Sequence, residues 1–400
     1  MIFKSLSKKI TAGITAAALG FSLTFSAPAV AEALSINDAV NIGVTIFSAS
    51  QYQKQIEQEI KYIDETEDGR ESLYQKYRQE YGVNTDPALN ERLDRIMQNL
   101  TTAVGKVDPS VYDKPYKYFV ANQESLNAAC GMGHVMMVNS GTFYLLPSDD
   151  EIAAVVGHEM GHGQKDHVIK GQKKNMTKAV IAQVGSAAVG GGALSNLVIS
   201  VVANNSIQHT NKKLETEADN LAWEYILQTD YNIGSCAAVM QKLSELSKDG
   251  GKDRNKIEAV INPSDHPGTN RRRDNYVNKL YEYSGKHVTA KDGVVTINGK
   301  TFTTVAAANR MSSPERSYFV LGNLAKAYHN GKTSSAATVS NGTIYLGDMA
   351  IMTPAEGDED AYILAERLNE LINTPLPEKD KKAKDKKDKK DKKTYTKKAA

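Results

Sequence analysis

Histidine, cysteine and tryptophan are scarce in this chain of 400 residues, which contains eight, two and one of them. Two cysteines, Cys130 and Cys236, allow at most one disulfide, so a framework of several disulfides is excluded. Whether the two pair or remain buried thiols is left open. The low histidine content also matters for motifs, because a chance H-E-x-x-H is expected in only roughly one such chain in a hundred.

A long uninterrupted apolar run is also absent after the N-terminus. The best candidate, residues 180–203, is small, apolar and rich in glycine, and polar residues and the run Gly190-Gly191-Gly192 interrupt it. A transmembrane helix needs about 20 predominantly apolar residues. We therefore favour a mobile helical hairpin over a membrane span.

Residues 375–400 lack an apolar face and, apart from Tyr395, aromatic side chains. They contain 12 lysines against five acidic residues, whereas the body of the chain is mildly acidic. Such a segment cannot bury enough surface to fold, and we expect a disordered tail. Without aromatic side chains for stacking, nucleic acid is not the expected partner. The tail is either simply solvated or makes peripheral contact with an anionic envelope surface.

The first 31 residues have the pattern of a signal peptide. Lys4, Lys8 and Lys9 form a basic region, residues 10–25 are largely apolar, and Ala29-Val30-Ala31 is an A-x-A cleavage site. No cysteine follows this site, which argues against a lipid anchor. We expect an exported protein, with an uncleaved N-terminal anchor as the alternative.

The most informative motif is His158-Glu159-Met160-Gly161-His162, which reads H-E-x-x-H. Positions four apart share one face of an α-helix, so both imidazoles can reach one metal ion. Glu159 is placed to act as the general base on water. Two imidazoles, one carboxylate base and an open coordination position are typical of a zinc peptidase.

The residues around the motif predict the helix that carries it. Ser148 is a candidate N-cap, and Glu151 can reach back to complete a capping box. Gly157, Gly161 and Gly163 each lower helix propensity by up to about 1 kcal/mol relative to alanine. We expect them to mark the close approach of another backbone or of substrate.

A catalytic zinc needs a third protein ligand. The acidic segment of a second predicted helix offers Glu215 and Glu217, and spacing alone does not choose between them. Asp219 lies four residues after Glu215, on the same face, where it could accept the free N–H of a ligand histidine and fix its tautomer. The alternative is a solvated acidic helix start, because acidic residues suit a helix N-terminus.

Five segments between about Pro87 and Arg273 resemble the HtpX-like and CAAX prenyl protease family of zinc endopeptidases, peptidase family M48. Within that family the resemblance is greatest to the soluble periplasmic BepA-like branch. The matching segments are Asp86 to Leu100, Leu126-Asn127-Ala128 with Gly131 to Val138, Glu151 to His167, Glu215 to Asp219, and His266-Pro267 with Arg272.

The resemblance implies one zinc ion held by His158, His162 and Glu215, with Asp219 supporting a ligand. It also implies that His266 and Arg272 approach the active site, where they could hold the enzyme latent or stabilise the oxyanion.

For the substrate, we expect Asn127 and an edge strand beside the cleft, formed by Val135, Met136, Met137 and Val138. An extended peptide could add to such a strand by main-chain pairing, which favours unfolded polypeptide.

The predicted fold class is α+β. Residues 32–85 form an N-terminal helical segment, and 86–285 a mainly helical zincin domain of the gluzincin type with a small edge-exposed sheet. Residues 286–374 form a small α+β domain with hairpins around Asn298-Gly299 and Asn341-Gly342, because Asn-Gly is a strong two-residue turn signal. The role of this domain is not apparent from its sequence.

Two functions compete on the sequence alone. The first is a zinc-dependent metalloendopeptidase that hydrolyses unfolded or misassembled envelope proteins, in the periplasm. The second is an envelope chaperone or binding module with little proteolysis. The complete H-E-x-x-H favours the first, since a binding module could lose Glu159 freely.

Overall fold

The computed structural model describes residues 53–184, 196–202, 212–249 and 268–377, all of which belong to one compact unit. The predicted signal peptide, most of the predicted apolar hairpin, His266 and nearly all of the basic tail lie outside the described residues.

Helices dominate the described part of the chain, as the α+β prediction expects. They are α1 (residues 53–65), α2 (Glu67–Tyr81), α3 (Pro87–Val107), α4 (Ser140–Leu145), α5 (Asp149–Gln164), α6 (His167–Val184), α7 (residues 196–202), α8 (Lys212–Leu227), α9 (Ser235–Asp249), α10 (Thr269–Tyr283), α11 (Ser313–His329) and α12 (Ala361–Ile372). The strands are β1 (Lys117–Ala121), β2 (Ala128–Cys130), β3 (Val135–Asn139), β4 (Val288–Lys291), β5 (Val294–Ile297), β6 (Lys300–Thr304), β7 (Ala337–Ser340), β8 (Thr343–Leu346) and β9 (Met349–Met352).

The N-terminal helical segment is broken at Thr66, between α1 and α2. The Thr66 side chain accepts a hydrogen bond from the Gly69 N–H at 3.1 Å and so caps α2. Gly69 lies in the first turn, where an added Cβ would come within 2.3 Å of the Tyr62 carbonyl oxygen. The glycine therefore permits close packing of α2 on α1 and does not end a helix.

The first sheet has the strand order β1-β3-β2, with β3 parallel to β1 and antiparallel to β2. The prediction of an edge strand at Val135–Val138 is wrong, because these residues form the central strand and are fully buried. A continuous apolar run suits a strand that is covered on both faces. The edge on the side of α5 belongs instead to β2.

Helix α5 begins with the predicted capping box. The Ser148 side chain accepts from the Glu151 N–H, and the Glu151 carboxylate accepts from the Ser148 N–H. Further along α5, a Cβ on Gly161 would meet the Ala218 Cα and carbonyl oxygen at 3.2 Å. The prediction that this glycine marks a close backbone approach is confirmed, and the approaching backbone belongs to α8.

The C-terminal part repeats one pattern, a three-stranded antiparallel meander followed by a helix: β4-β5-β6 with α11, and β7-β8-β9 with α12. Both predicted Asn-Gly hairpins are present, and Asn298, Gly299, Asn341 and Gly342 all have the positive φ that such turns require. The sequence prediction missed the four-residue strands β4 and β9.

One hydrophobic cluster extends from Leu89 in α3 to Leu371 in α12, so the helices around α5 and the two meanders share a core. Among the described residues, no helix is long and apolar enough to be a candidate membrane span.

Two buried carboxyl groups meet within this core, at the N-termini of α5 and α11. Glu151 and Glu315 are both fully buried, and each is the acidic residue of a capping box. The Lys242 ammonium lies 2.8 Å from one Glu315 oxygen. Burial, followed by the hydrogen bond to Glu315 and its charge, raises the pKa of Glu151 to about 8, against the opposing effects of Ser148 and Lys242. The Glu151 carboxyl is therefore mainly protonated at neutral pH.

This pair predicts an effect of pH on stability. A carboxyl whose pKa is raised by folding contributes stability that is full below its unfolded pKa and is lost as pH rises through the folded value. We expect Glu151→Gln, which resembles the protonated acid, to be more stable than wild type by about 1–3 kcal/mol near pH 9 and similar near pH 5. Urea unfolding of both metal-free proteins checks this. An equal pH dependence in the two would contradict it.

Candidate active site

Two neighbouring helices bring together His158, His162 and Glu215, whose ligand atoms all lie within 4.8 Å of one another. The Nε2 atoms of the two histidines are 3.1 Å apart, and they lie 3.4 and 3.3 Å from the Glu215 carboxylate oxygens. Helix α5 supplies both histidines on one face, as their spacing predicts. The packing at Gly161 places the first turn of α8 opposite them.

A buried cluster of ionised side chains contacts His158 on the side of its ring away from Glu215. The Asp219 Oδ1 lies 3.1 Å from His158 Nδ1 and accepts a hydrogen bond from the Tyr276 hydroxyl at 3.0 Å. Arg272 donates to both Asp219 oxygens, at 2.8 and 2.5 Å. These contacts fix the ring of His158 from the side away from Glu215.

The charges of this cluster stabilise one another. Burial opposes the ionised carboxylate, but Arg272 and the hydrogen bond to His158 hold the pKa of Asp219 well below its usual range. Burial and Arg272 disfavour the imidazolium, yet hydrogen bonds to Asp219 and Glu215 raise the pKa of His158 to about 9 in the absence of a metal. A metal ion at this site therefore replaces a proton on His158.

His162 is supported differently. Its Nδ1 lies 2.9 Å from the Nδ1 of His167, and the Nε2 of His167 lies 3.3 Å from a Glu217 carboxylate oxygen. His162 and His167 are buried side chains, whereas Glu217 is half exposed. The structure therefore directs Glu217 at His167 and Glu215 at the ligand cluster.

Glu159 lies next to the cluster and contacts the edge strand. One of its carboxylate oxygens accepts a hydrogen bond from the Cys130 N–H at 3.0 Å. The Asn127 carbonyl oxygen accepts from the Asn139 N–H, and the Gly131 N–H donates to the Val135 carbonyl oxygen. The alternation of an antiparallel pair therefore directs the N–H and C=O groups of Ala128 and Cys130 away from β3. The free edge of β2 thus faces the motif helix.

A cavity of about 70 Å³ opens beside His158 and Glu159. Its lining is largely apolar and comes from the start of β2, from α5, from α9 and from α10. The lining side chains include Leu126, Ala154, Val155, Val239, Met240 and Leu243, together with Arg272 and Tyr276.

The predicted site residues divide into three groups. His158, Glu159, His162, Glu215, Asp219 and Arg272 lie together, and Asn127 lines the same cavity. Val135–Val138 lie one strand further away, behind β2. His266 lies outside the described residues. Cys130 and Cys236 are free, buried thiols.

Tyr276 and the Cys130 N–H have roles in the site that the sequence did not reveal. Tyr276 lies four residues after Arg272 on α10, so helical spacing could have identified it as a second group facing Asp219. The contact of Cys130 depends on how β2 and α5 pack, and no local pattern encodes it.

Comparison with known proteins agrees with this geometry. Residues 87–278 match the model of Peptidase family M48. The chain is 29% identical over 156 residues to Metalloprotease LoiP of Escherichia coli (38% of this chain, 60% of that protein). It is 29% identical over 157 residues to the mitochondrial metalloendopeptidase OMA1 of Arabidopsis thaliana (37% and 32%). It is 21% identical over 173 residues to the beta-barrel assembly-enhancing protease of Yersinia pestis (41% and 34%).

The matched regions span 60% or less of the length of these relatives, so the similarity concerns the domain that contains the motif and not the whole proteins. The part of the chain that matches the family includes α5, α8 and the part of α10 with Arg272 and Tyr276, which supply the ligand cluster and its ionic support. On the sequence match, residues 87–278 resemble a peptidase family M48 domain, and they include the ligand cluster.

Proposed function

We propose that the protein is a zinc-dependent metalloendopeptidase that hydrolyses peptide bonds in unfolded or misassembled envelope proteins. The observation that carries this proposal is the convergence of two imidazoles and one carboxylate beside a second carboxylate on the same helix. The first three suit a metal, and the fourth, Glu159, suits a general base.

Zinc is the metal that fits these donors. Zinc–nitrogen and zinc–oxygen bonds of about 2.0–2.1 Å in a tetrahedral site separate neighbouring ligand atoms by roughly 3.3 Å. The two Nε2 atoms are 3.1 Å apart, and each lies near this separation, at 3.3 or 3.4 Å, from a different oxygen of the Glu215 carboxylate. Three protein ligands also leave the open fourth position that distinguishes catalytic from structural zinc sites.

The residues of the site have distinct roles in the proposed reaction. A bound zinc supplies a Lewis acid that polarises the scissile carbonyl and makes water more acidic. Glu159 accepts the proton of the attacking water, and its contact with the Cys130 N–H orients it for this step. Asp219, Arg272 and Tyr276 hold His158 in place, and Arg272 contributes a fixed positive charge to the cavity wall.

The edge of β2 is our proposed substrate strand, in place of β3. An extended peptide can pair with the outward backbone groups of Ala128, next to Glu159. Folded proteins seldom present such a segment, because their strands are already paired. This geometry supports unfolded polypeptide as the substrate class.

The cavity supports the same class. Its size is about that of two water molecules or a short aliphatic side chain. Its walls are mostly apolar, and a folded protein keeps most of its large apolar side chains buried. An apolar side chain next to the scissile bond would thus be available mainly in unfolded or misassembled chains.

For location, we propose export to the periplasm. The support is the signal-peptide pattern of residues 1–31. The lysine-rich residues 375–400 suit peripheral contact with an anionic envelope surface, an attraction that should weaken as salt concentration rises.

The direct test uses the purified protein with unfolded casein as substrate. We expect proteolysis in the zinc-loaded protein, loss of proteolysis after treatment with a chelator, and recovery after zinc is added back. Metal analysis should give one zinc per chain. Casein that stays intact in the zinc-loaded protein, with aggregation of the unfolded protein suppressed, would instead favour the chaperone function.

A further inference from the structure

The two histidine ligands of the cluster have different neighbours. Behind His158 is the carboxylate of Asp219, which is the type of partner that most ligand histidines have. Behind His162 is a second imidazole, that of His167, at 2.9 Å between the two Nδ1 atoms. The rings of His162 and His167 meet edge to face, with centroids 5.0 Å apart.

Metal binding by His162 determines which nitrogens donate and which accept in the contacts between His162, His167 and Glu217. A neutral imidazole that binds a metal through Nε2 must carry its proton on Nδ1. His162 Nδ1 therefore donates, and His167 Nδ1 accepts. A neutral His167 then carries its own proton on Nε2, which lies 3.3 Å from the Glu217 carboxylate oxygen. Along the contacts from Glu217 through His167 to His162, each ring nitrogen is thus a donor, an acceptor or the metal ligand.

We propose that His167 and Glu217 are positioning residues that hold His162 in the tautomer and orientation needed to present Nε2 to the metal. This inference rests on the proposed zinc site. It assigns to Glu217, which the sequence offered as an alternative ligand, a role two hydrogen bonds away from the metal.

Burial supports a positioning role. The His167 side chain is fully buried at the start of α6, directly after the turn that ends α5. The Glu217 side chain is 50% exposed, so its attraction for His167 is partly screened by water. We therefore expect a large effect from removing His167 and a smaller one from removing Glu217.

The experiment measures zinc affinity by competition with a chelating dye, in wild type and in four variants of the full chain. His167→Phe removes the acceptor for His162 and keeps a ring. His167→Asn keeps an acceptor close to the position of Nδ1. Glu217→Ala removes the distal carboxylate. Glu224→Ala, an exposed glutamate on the same helix, is the control.

We expect His167→Phe to weaken zinc binding by about 10–100-fold, which is the usual effect of losing a group that orients a metal ligand. His167→Asn should recover most of this loss, Glu217→Ala should weaken binding by only a few-fold, and Glu224→Ala should have no effect. The free energy of unfolding of each metal-free variant is measured in parallel.

Two results would overturn the proposal. One is a zinc affinity of His167→Phe within two-fold of wild type. The other is an equal loss of affinity in both His167 variants that follows their loss of metal-free stability, because packing alone would then explain the effect. If wild type binds no zinc, the proposed function fails as well, so the two failures are distinguishable.

Discussion

Glu159→Gln is expected to retain its zinc and to hydrolyse unfolded casein about 10²–10⁴-fold more slowly than wild type, the range usually lost with a general base. The amide oxygen of the new side chain can still accept the hydrogen bond from the Cys130 N–H, which is 3.0 Å from the carboxylate oxygen in the wild type. The cleft should therefore keep its shape. What the variant lacks is a group that can take a proton from water.

Two measurements make this result specific. Metal analysis must show one zinc per chain in the variant, and kcat and KM must be determined separately, because the loss is expected in kcat. Glu224→Gln provides the matched control, since the same chemical change is made at an exposed position of α8. Wild-type turnover in zinc-loaded Glu159→Gln would exclude Glu159 as the base.

Glu215→Ala is expected to lose zinc rather than turnover alone. A structural zinc site binds its metal with a free energy of roughly 10–16 kcal/mol, shared among four ligands. One ligand therefore contributes about 3 kcal/mol, which is on the order of 10²-fold in affinity. Glu215 is fully buried, so water cannot easily replace its carboxylate. Dialysis against a weak chelator should strip the variant and leave wild type loaded.

Glu217→Ala is the comparison that tests the ligand assignment. Its carboxylate contacts His167 and not the cluster, so it should lose only a few-fold in affinity. The reverse result, with zinc retained in Glu215→Ala and lost in Glu217→Ala, would exchange the two assignments. It would also remove the positioning role of Glu217.

The sequence predicted the elements whose signals are local. The structure contains the Ser148 capping box, both Asn-Gly turns and the shared face of His158 and His162, all of which follow from residues one to four positions apart. Such features depend on backbone geometry that neighbouring residues fix among themselves.

The predictions from the sequence were wrong where the structure depends on pairing between strands that are far apart in the chain. An apolar run such as Val135–Val138 has the same composition at the edge of a sheet as at its centre, and only the parallel partner β1 makes it central. The choice between Glu215 and Glu217 also depends on contacts between distant parts of the chain. Spacing left it open, and the approach of α8 to Gly161 decides which carboxylate reaches the cluster.

The short free edge of β2 has a consequence for how tightly substrate is held. The outward N–H of Cys130 is already occupied by Glu159, so a peptide that pairs with β2 has the backbone groups of Ala128 as its main partners there. Hydrogen bonds contribute about 0.5–1.5 kcal/mol each, too little for tight capture. On the proposed function, the enzyme would bind any one segment briefly and release most encounters uncleaved. A chain that stays unfolded would be sampled repeatedly, and one that folds promptly would escape, so selectivity would come from the lifetime of the unfolded state rather than from a recognition sequence.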